Sequence, residues 1–290
     1  MLMQWDDEVK IAVSGLAGKR HIVISDIGSR NSNDILFCLP GILEVKSTFL
    51  GLSPLIDQGY RIVTLDYCGR GNSDYLKQTN HYKISTYIED VLAVYDYIIN
   101  SNKRENPLLK KFNLNVWRIQ SKSIQLLGNS MGGLIAAVIA NRKMPAIKSL
   151  ILNDISSLIP WAGLFSLYGN LSQSTLQMPS YGNFSSSNDL AKTLNVDPNL
   201  LKAVMQATHL DIPFKNSMNG IEFTSLFKTL SIPICLIYSM ESKLVNSLAL
   251  HHFKKYAVDA KLVGVKGSSH PVKFDTFVMQ ELSAFIAQQK

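Results

Sequence analysis

The stretch Ile124-Gln125-Leu126-Leu127-Gly128-Asn129-Ser130-Met131-Gly132-Gly133-Leu134 decides the fold of this chain. A short apolar run ends in Gly-x-Ser-x-Gly, and Leu134 to Ala140 continues as an apolar helix, so the order is strand, sharp turn, helix. A serine in such a turn has a strained backbone and a projecting hydroxyl, and the positions two before and two after it must be nearly free of side chain. Gly128 and Gly132 meet that demand. The first amide of the new helix, that of Met131, is then aimed at any anion forming beside Ser130, which is what acyl transfer needs.

Outward from this stretch the same strand signature recurs. Ile35 to Leu39, Arg61 to Leu65, Ser149 to Asn153, Ile234 to Tyr238 and Lys261 to Val265 are short, continuously apolar runs, suited to strands buried on both faces. Helical stretches lie between them: Ser47 to Gln58; one opened by the capping box Thr86-x-x-Glu89, with Ile88, Val91, Leu92, Tyr95, Ile98 and Ile99 on one face; Ser247 to Tyr256; and a last helix with Phe274, Phe277, Val278, Leu282, Phe285 and Ile286. This alternation predicts an α/β fold with a mostly parallel central sheet covered by helices. Val9 to Val13 and His21 to Ser25 read as an antiparallel entry. From Ile155 to Leu230 the alternation stops, with helices expected at Pro198 to Thr208 and Ile221 to Thr229. Residues 1–154 and 231–290 are therefore expected to form the core, and 155–230 a helical cap inserted after the sixth strand, over the strand ends.

Composition narrows the function classes. The chain has 290 residues, 46% hydrophobic and 18% charged, and 29 Lys and Arg against 22 Asp and Glu give a net charge of +7. The densest basic stretch, from Lys103 to Lys122, is broken by Pro107 and lacks interleaved aromatics, which argues against nucleic-acid binding. Cys38, Cys68 and Cys235 are widely spaced, neither a disulfide framework nor a metal pattern, and fit a reducing compartment. No apolar run has the length of a membrane span and the start has no leader pattern, so a cytoplasmic protein is expected.

A serine hydroxyl is a poor nucleophile at neutral pH and requires a base within hydrogen-bond reach. His270, in the small-residue loop Gly267-Ser268-Ser269-His270-Pro271 just after a predicted strand of the same sheet, is placed to serve. His251 and His252 fall inside a helical stretch, His81 beside a turn, His209 in the insertion and His21 near the start.

With these residues in view, the chain resembles the α/β-hydrolase superfamily, and in particular its cap-bearing small-molecule esterases, lactonases and carbon-carbon bond hydrolases. The resemblance is carried by Leu39-Pro40-Gly41-Ile42, by Asp66 to Asp74 as Asp-x-x-Gly-x-Gly-x-Ser, by the turn at Ser130, by Leu152-Asn153-Asp154-Ile155 and by Gly267 to His270. It implies an oxyanion hole from the amides of Ile42 and Met131, no metal and no organic cofactor. The family usually has His-Gly where Pro40-Gly41 stands. A larger departure follows Tyr238, where the family reads Gly-x-x-Ser-Asp-x-Leu and this chain reads Ser239-Met240-Glu241-Ser242-Lys243-Leu244. A lysine replaces the expected acid, and a cation there opposes the imidazolium of a working histidine. Three accounts stand open: Asp154 supplies the carboxylate from the preceding strand, Glu241 does, or the site runs as a Ser-His dyad or is dead.

The expected function is a serine hydrolase cleaving an ester, thioester or lactone of a small to medium acyl substrate, with Trp161, Leu164 and Phe165 meeting substrate from the cap. A ligand-binding protein on the same fold and an acyltransferase using the same residues are the alternatives. The partner is a small molecule, with no nucleic acid and no membrane span.

Overall fold

The structure, a computed structural model, describes residues 8–101, 122–172, 176–178, 182–184, 186–267 and 270–289. Residues 102–121 of the basic connector, together with Ser268 and Ser269, lie outside them. Eight strands form the main sheet. The first two, β1 (Glu8–Gly15) and β2 (Gly18–Ile27), make the expected antiparallel hairpin. Next come β3 (Asp34–Leu39), β4 (Arg61–Asp66), β5 (Ser123–Asn129) and β6 (Ile147–Asn153). The chain then leaves the sheet through five short strands, β7 (Leu158–Pro160), β8 (Leu176–Met178), β9 (Gly182–Phe184), β10 (Lys215–Asn216) and β11 (Gly220–Glu222). It returns as β12 (Ile234–Ser239) and β13 (Lys261–Val265). The sheet order is β1-β2-β4-β3-β5-β6-β12-β13, with every pairing from β4 to β13 parallel.

The continuous apolar runs are explained by the layers on each side. In β3, Ile35, Phe37 and Leu39 face one cluster while Leu36 and Cys38 face the other. The first cluster is covered by α1 (Ile84–Asn100) and α2 (Met131–Ala140). The second is covered by a 3₁₀ stretch at Lys46–Leu55, through Phe49, Leu52 and Leu55, and by the C-terminal helix (Thr276–Ala287), through Val278, Leu282, Phe285 and Ile286. A strand with helices on both faces has no polar side to show, so the period-2 alternation disappears.

Several local expectations are corrected. The helical stretch expected from Ser47 to Gln58 is a 3₁₀ run at Lys46–Leu55, with Pro54 inside it removing a backbone donor. The capping box is not formed: Thr86 Oγ1 donates to the carbonyl of His81 (2.8 Å), and Glu89 instead accepts from Arg20 Nη2 and Leu16 N (both 3.0 Å). The start of α1 is met from the insertion, where Asp211 Oδ1 accepts from Ser85 N at 2.9 Å.

The insertion is not purely helical. Its helices are α3 (Trp161–Ser172), α4 (Ser187–Leu194), α5 (Pro198–Met205) and α6 (Thr224–Lys228). Beside them β10, β11 and β7 form an antiparallel sheet, and β8 pairs with β9. Ile221, expected in a helix, lies in β11 opposite Ile159. After it α7 (Ser247–Lys254) leads to β13, and the C-terminal helix is α8.

A buried ion pair joins β2 to β4 and takes in a tyrosine of α1. Arg61 and Asp26 are both buried, with Arg61 Nε to Asp26 Oδ1 at 2.7 Å and Nη2 to Oδ2 at 2.8 Å, and Tyr97 Oη donates to Oδ2 at 2.7 Å. Burial pushes the Asp26 carboxyl up, but the bonds from Arg61 and Tyr97 outweigh it and hold the group below its ordinary value. Its stabilisation is therefore present above about pH 3.9, the usual unfolded value, and is lost as pH falls through the lower folded one. Asp26→Ala leaves a guanidinium buried and unpaired, and a loss of about 3–5 kcal/mol is expected in urea unfolding.

Candidate active site

Ser130 follows β5 directly and opens α2 with φ of 49° and ψ of −120°, a left-handed conformation that non-glycine residues rarely adopt. Two main-chain bonds hold it there: Ser130 N donates to Asn153 O at 2.9 Å, and Gly133 N donates to Ser130 O at 2.8 Å. The flanking glycines are required by close approach. A Cβ on Gly128 would lie 2.4 Å from the main chain of Gly132, and one on Gly132 would lie 2.1 Å from Leu39 O.

His270 lies 140 residues further on in sequence, yet its Nε2 is 2.9 Å from Ser130 Oγ. Its Nδ1 is 2.7 Å from Asp154 Oδ2. A carboxylate only accepts, so this pairing puts the ring proton on Nδ1 and leaves Nε2 to accept from the Ser130 hydroxyl. The Asp154 side chain is fully buried whereas that of His270 is 27% exposed, so the ring can be reached from solvent and the carboxylate cannot.

The segment after β12, where a lysine replaced the expected acid, takes a different part. Asp154 Oδ1 accepts from Ser239 N at 3.2 Å, and Oδ2 accepts from Ser242 Oγ at 2.9 Å. Asp154 itself is held with φ of 54°, its amide donating to Ile237 O at 2.8 Å. Glu241 is exposed, its amide donates to Ser239 Oγ at 3.2 Å, and none of the hydrogen bonds of His270 among the described residues goes to it. Lys243 is also exposed and points to the insertion, with Nζ 3.2 Å from Ser166 Oγ on α3.

The loop after β3 carries Ile42, half-buried, and Met131 is the buried first residue of α2. Neither amide makes a hydrogen bond to another of the described residues. Both sides of Ile42 are engaged: Gly41 N donates to Glu44 Oε2 at 2.6 Å, and Ile42 O accepts from Arg70 Nε at 3.0 Å and Nη2 at 2.6 Å. Glu44 also accepts from Asn129 Nδ2 at 3.2 Å. Burial raises the Glu44 carboxyl, with the Gly41 amide, Asn129, His270 and Arg70 pulling the other way.

The insertion rests on loops that follow β4 and β12. Asp197 N donates to Gly69 O and Gly71 N to Asn195 O, both at 2.8 Å, and Lys243 reaches α3. Trp161 Nε1 donates to Ser217 O at 2.9 Å, and the Trp161 ring stacks on Phe165 at 6.2 Å. Trp161 and Leu164 pack against the apolar body, while Phe165 is 71% exposed.

Four residues at this centre escaped sequence reasoning. Asn153 grips the histidine loop, its Nδ2 donating to Val272 O at 2.9 Å and its Oδ1 accepting from Val272 N at 3.1 Å. Ser242, Glu44 and Arg70 are the others. Asn153, Ser242 and Arg70 sat inside stretches singled out for a neighbour and Glu44 two positions beyond one, and polar letters there read as ordinary loop residues. The one available signal was an arginine between two turn glycines, Gly69-Arg70-Gly71, and it was passed over.

Comparison with known proteins agrees with this architecture. A 139-residue part of the chain, 48% of it, is 24% identical to a 3-hydroxybutyrate-oligomer hydrolase of Cupriavidus necator, covering 40% of that protein. The chain thus spans less than half the length of the curated relatives it matches. Among solved structures, it superposes on a hydrolase candidate from Rickettsia typhi with a TM-score of 0.70 at 20% identity, covering 98% of this chain and 99% of that one. It superposes on a Rhodococcus esterase with a TM-score of 0.65 at 20% identity, over 98% and 99% of the two chains. At such identities these likenesses speak for the fold. The sequence model of the family described as serine aminopeptidase, S33, matches residues 35–276, a span that runs from β3 past the histidine loop, and the chain belongs to that family of α/β-hydrolases.

Proposed function

We propose that the protein is a serine hydrolase that cleaves an ester, thioester or lactone of a small to medium acyl substrate through an acyl-enzyme on Ser130. The observation that carries this reading is the unbroken relay from Ser130 Oγ through His270 Nε2 and Nδ1 to Asp154, at 2.9 and 2.7 Å. As Ser130 attacks the carbonyl carbon, its proton passes to Nε2, and Asp154 stabilises the imidazolium so formed. The tetrahedral oxyanion is held by the amides of Ile42 and Met131. His270 then gives its proton to the leaving oxygen or sulfur, and water, deprotonated by the same ring, releases the acid and restores the serine.

The segment 155–230 acts as a cap, with Trp161, Leu164 and Phe165 bordering the entrance. Its contacts with the loops after β4 and β12 support that placement, since those loops lie at the strand ends that carry the relay. The exposed Phe165 ring beside the stacked Trp161 is suited to meet an apolar acyl chain.

Two measurements on the purified chain test the reading together. A fluorophosphonate is expected to label the wild type at Ser130, located by peptide mass mapping, and a series of aryl esters of rising acyl length is expected to be turned over with an optimum at short to medium chains. Folded protein that neither labels nor turns over any ester, thioester, lactone or aminoacyl arylamide counts against hydrolysis and for ligand binding. Product formation only when an alcohol or amine is added marks an acyltransferase.

A further inference from the structure

Arg70 is treated by the fold unlike the other buried arginines. Arg20 and Arg61 each meet a carboxylate, Asp90 and Asp26 respectively, at 2.7 Å. Arg70 is fully buried, and among the described residues it makes no ion pair within 4.0 Å. Its guanidinium packs against two neighbouring rings, 5.0 Å from the centroid of Tyr67 and 4.5 Å from that of Tyr87, which limits its freedom to swing. Two of its nitrogens are committed to one atom, the carbonyl oxygen of Ile42. Burying a guanidinium without a carboxylate is costly, and a neutral carbonyl compensates only in part.

That carbonyl belongs to the peptide after Ile42, one Cα away from the Ile42 N–H, so holding it pins the far side of the residue whose N–H is at issue. The Ile42 N–H shares a planar trans peptide with Gly41 C=O, so fixing one fixes the other. Gly41 O accepts from Glu44 N at 3.3 Å, closing a turn, and the Glu44 carboxyl returns to take Gly41 N at 2.6 Å. The same carboxyl accepts from Asn129, the residue before Ser130. Every main-chain polar group flanking the Ile42 N–H is thus engaged, and that N–H is left over.

We infer that Arg70 and Glu44 are positioning residues for the oxyanion hole, holding the Ile42 amide as a preset donor and tying its loop to the serine strand. Neither touches substrate. Each grips a peptide next to the one that carries that N–H, Glu44 the Gly41 amide before it and Arg70 the Ile42 carbonyl after it, so the donor between them is preset and need not reorganise as charge develops. This rests on the hydrolase reading given above and goes beyond it by assigning the parts that set the donor.

The test separates transition-state binding from ground-state binding and from stability. In Arg70→Gln, kcat on an aryl ester is expected to fall roughly 10–100-fold with KM within about twofold, since loosening a donor costs less than deleting one. A trifluoromethyl ketone, which forms the tetrahedral adduct on Ser130, should bind more weakly by a similar factor, while affinity for the carboxylic acid product stays level. Glu44→Ala is expected to show the same pattern at about tenfold, and Glu44→Gln, which keeps an acceptor for Gly41 N, to recover most of it. Should Arg70→Gln fail to fold, the Glu44 pair carries the test alone. The inference is overturned if both positions lose melting temperature but keep ketone affinity, or if ketone and product affinities fall together. A wild type that is never active on any substrate strikes the hydrolase reading and this inference with it, whereas an active wild type with unaffected variants strikes this inference alone.

Discussion

Replacing Ser130 by alanine is expected to remove fluorophosphonate labelling altogether and to lower kcat by roughly 10⁵ to 10⁶, while melting temperature and secondary structure stay at wild-type values. The loss is this large because base and oxyanion donors act only through the attacking oxygen. The fold is expected to survive because the turn is held by main-chain bonds, Ser130 N to Asn153 O and Gly133 N to Ser130 O, and by glycines that permit close approach of backbones. Among the described residues Ser130 makes one side-chain bond, to His270, and the alanine forgoes only that. Labelling retained at the wild-type rate in this variant would mean that another residue is the nucleophile.

The second large effect is expected at Asp154. Asp154→Asn keeps the shape of the side chain but can present an amide N–H to His270 Nδ1, favouring the tautomer in which Nε2 carries the proton and cannot accept from Ser130. Turnover should fall by roughly 10³ to 10⁴. Glu241→Gln, at an exposed position with no bond to the ring, should change kcat less than about twofold, as surface substitutions usually do. Lys243→Asp is not expected to rescue Asp154→Asn, because Lys243 points to Ser166 and Ser242 is the side chain of that loop that reaches Asp154. Equal activity of Asp154→Asn and wild type would mean that the serine and histidine work as a pair without an acid.

Much of the layout was legible because its physical causes are short-range. The apolar runs of β3, β4, β5, β6, β12 and β13 are set by burial on two faces, and Gly128 and Gly132 by backbone crowding, so both left marks in the local sequence. Which carboxylate stands beside His270, Asp154 or Glu241, was not a local matter. It turned on the order of β6 and β12 as neighbours and on which end of each strand faces His270, facts of the assembled sheet. Reading Thr86-x-x-Glu89 as a capping box failed for the same kind of reason. Arg20, on β2 and 69 positions away, competes for Glu89 and wins, because a buried charge needs its partner more than a helix end does. The mixed character of the insertion was hidden by strands only two or three residues long, which are too short to show a period.

The consecutive pair at the end of β6 has a mechanical consequence. Asn153 clamps the main chain of Val272 on both its polar groups, and Asp154 takes the ring of His270, so two adjacent residues hold one loop by its rail and by its tool. Asn153 also reaches Asn129 beside Ser130, Nδ2 to Oδ1 at 2.9 Å, and lends its carbonyl to the Ser130 amide. Serine, histidine and aspartate are thereby referenced to a single datum on the scaffold. When the sheet flexes, that datum carries all three along as one, and their spacing is preserved even as their absolute places drift.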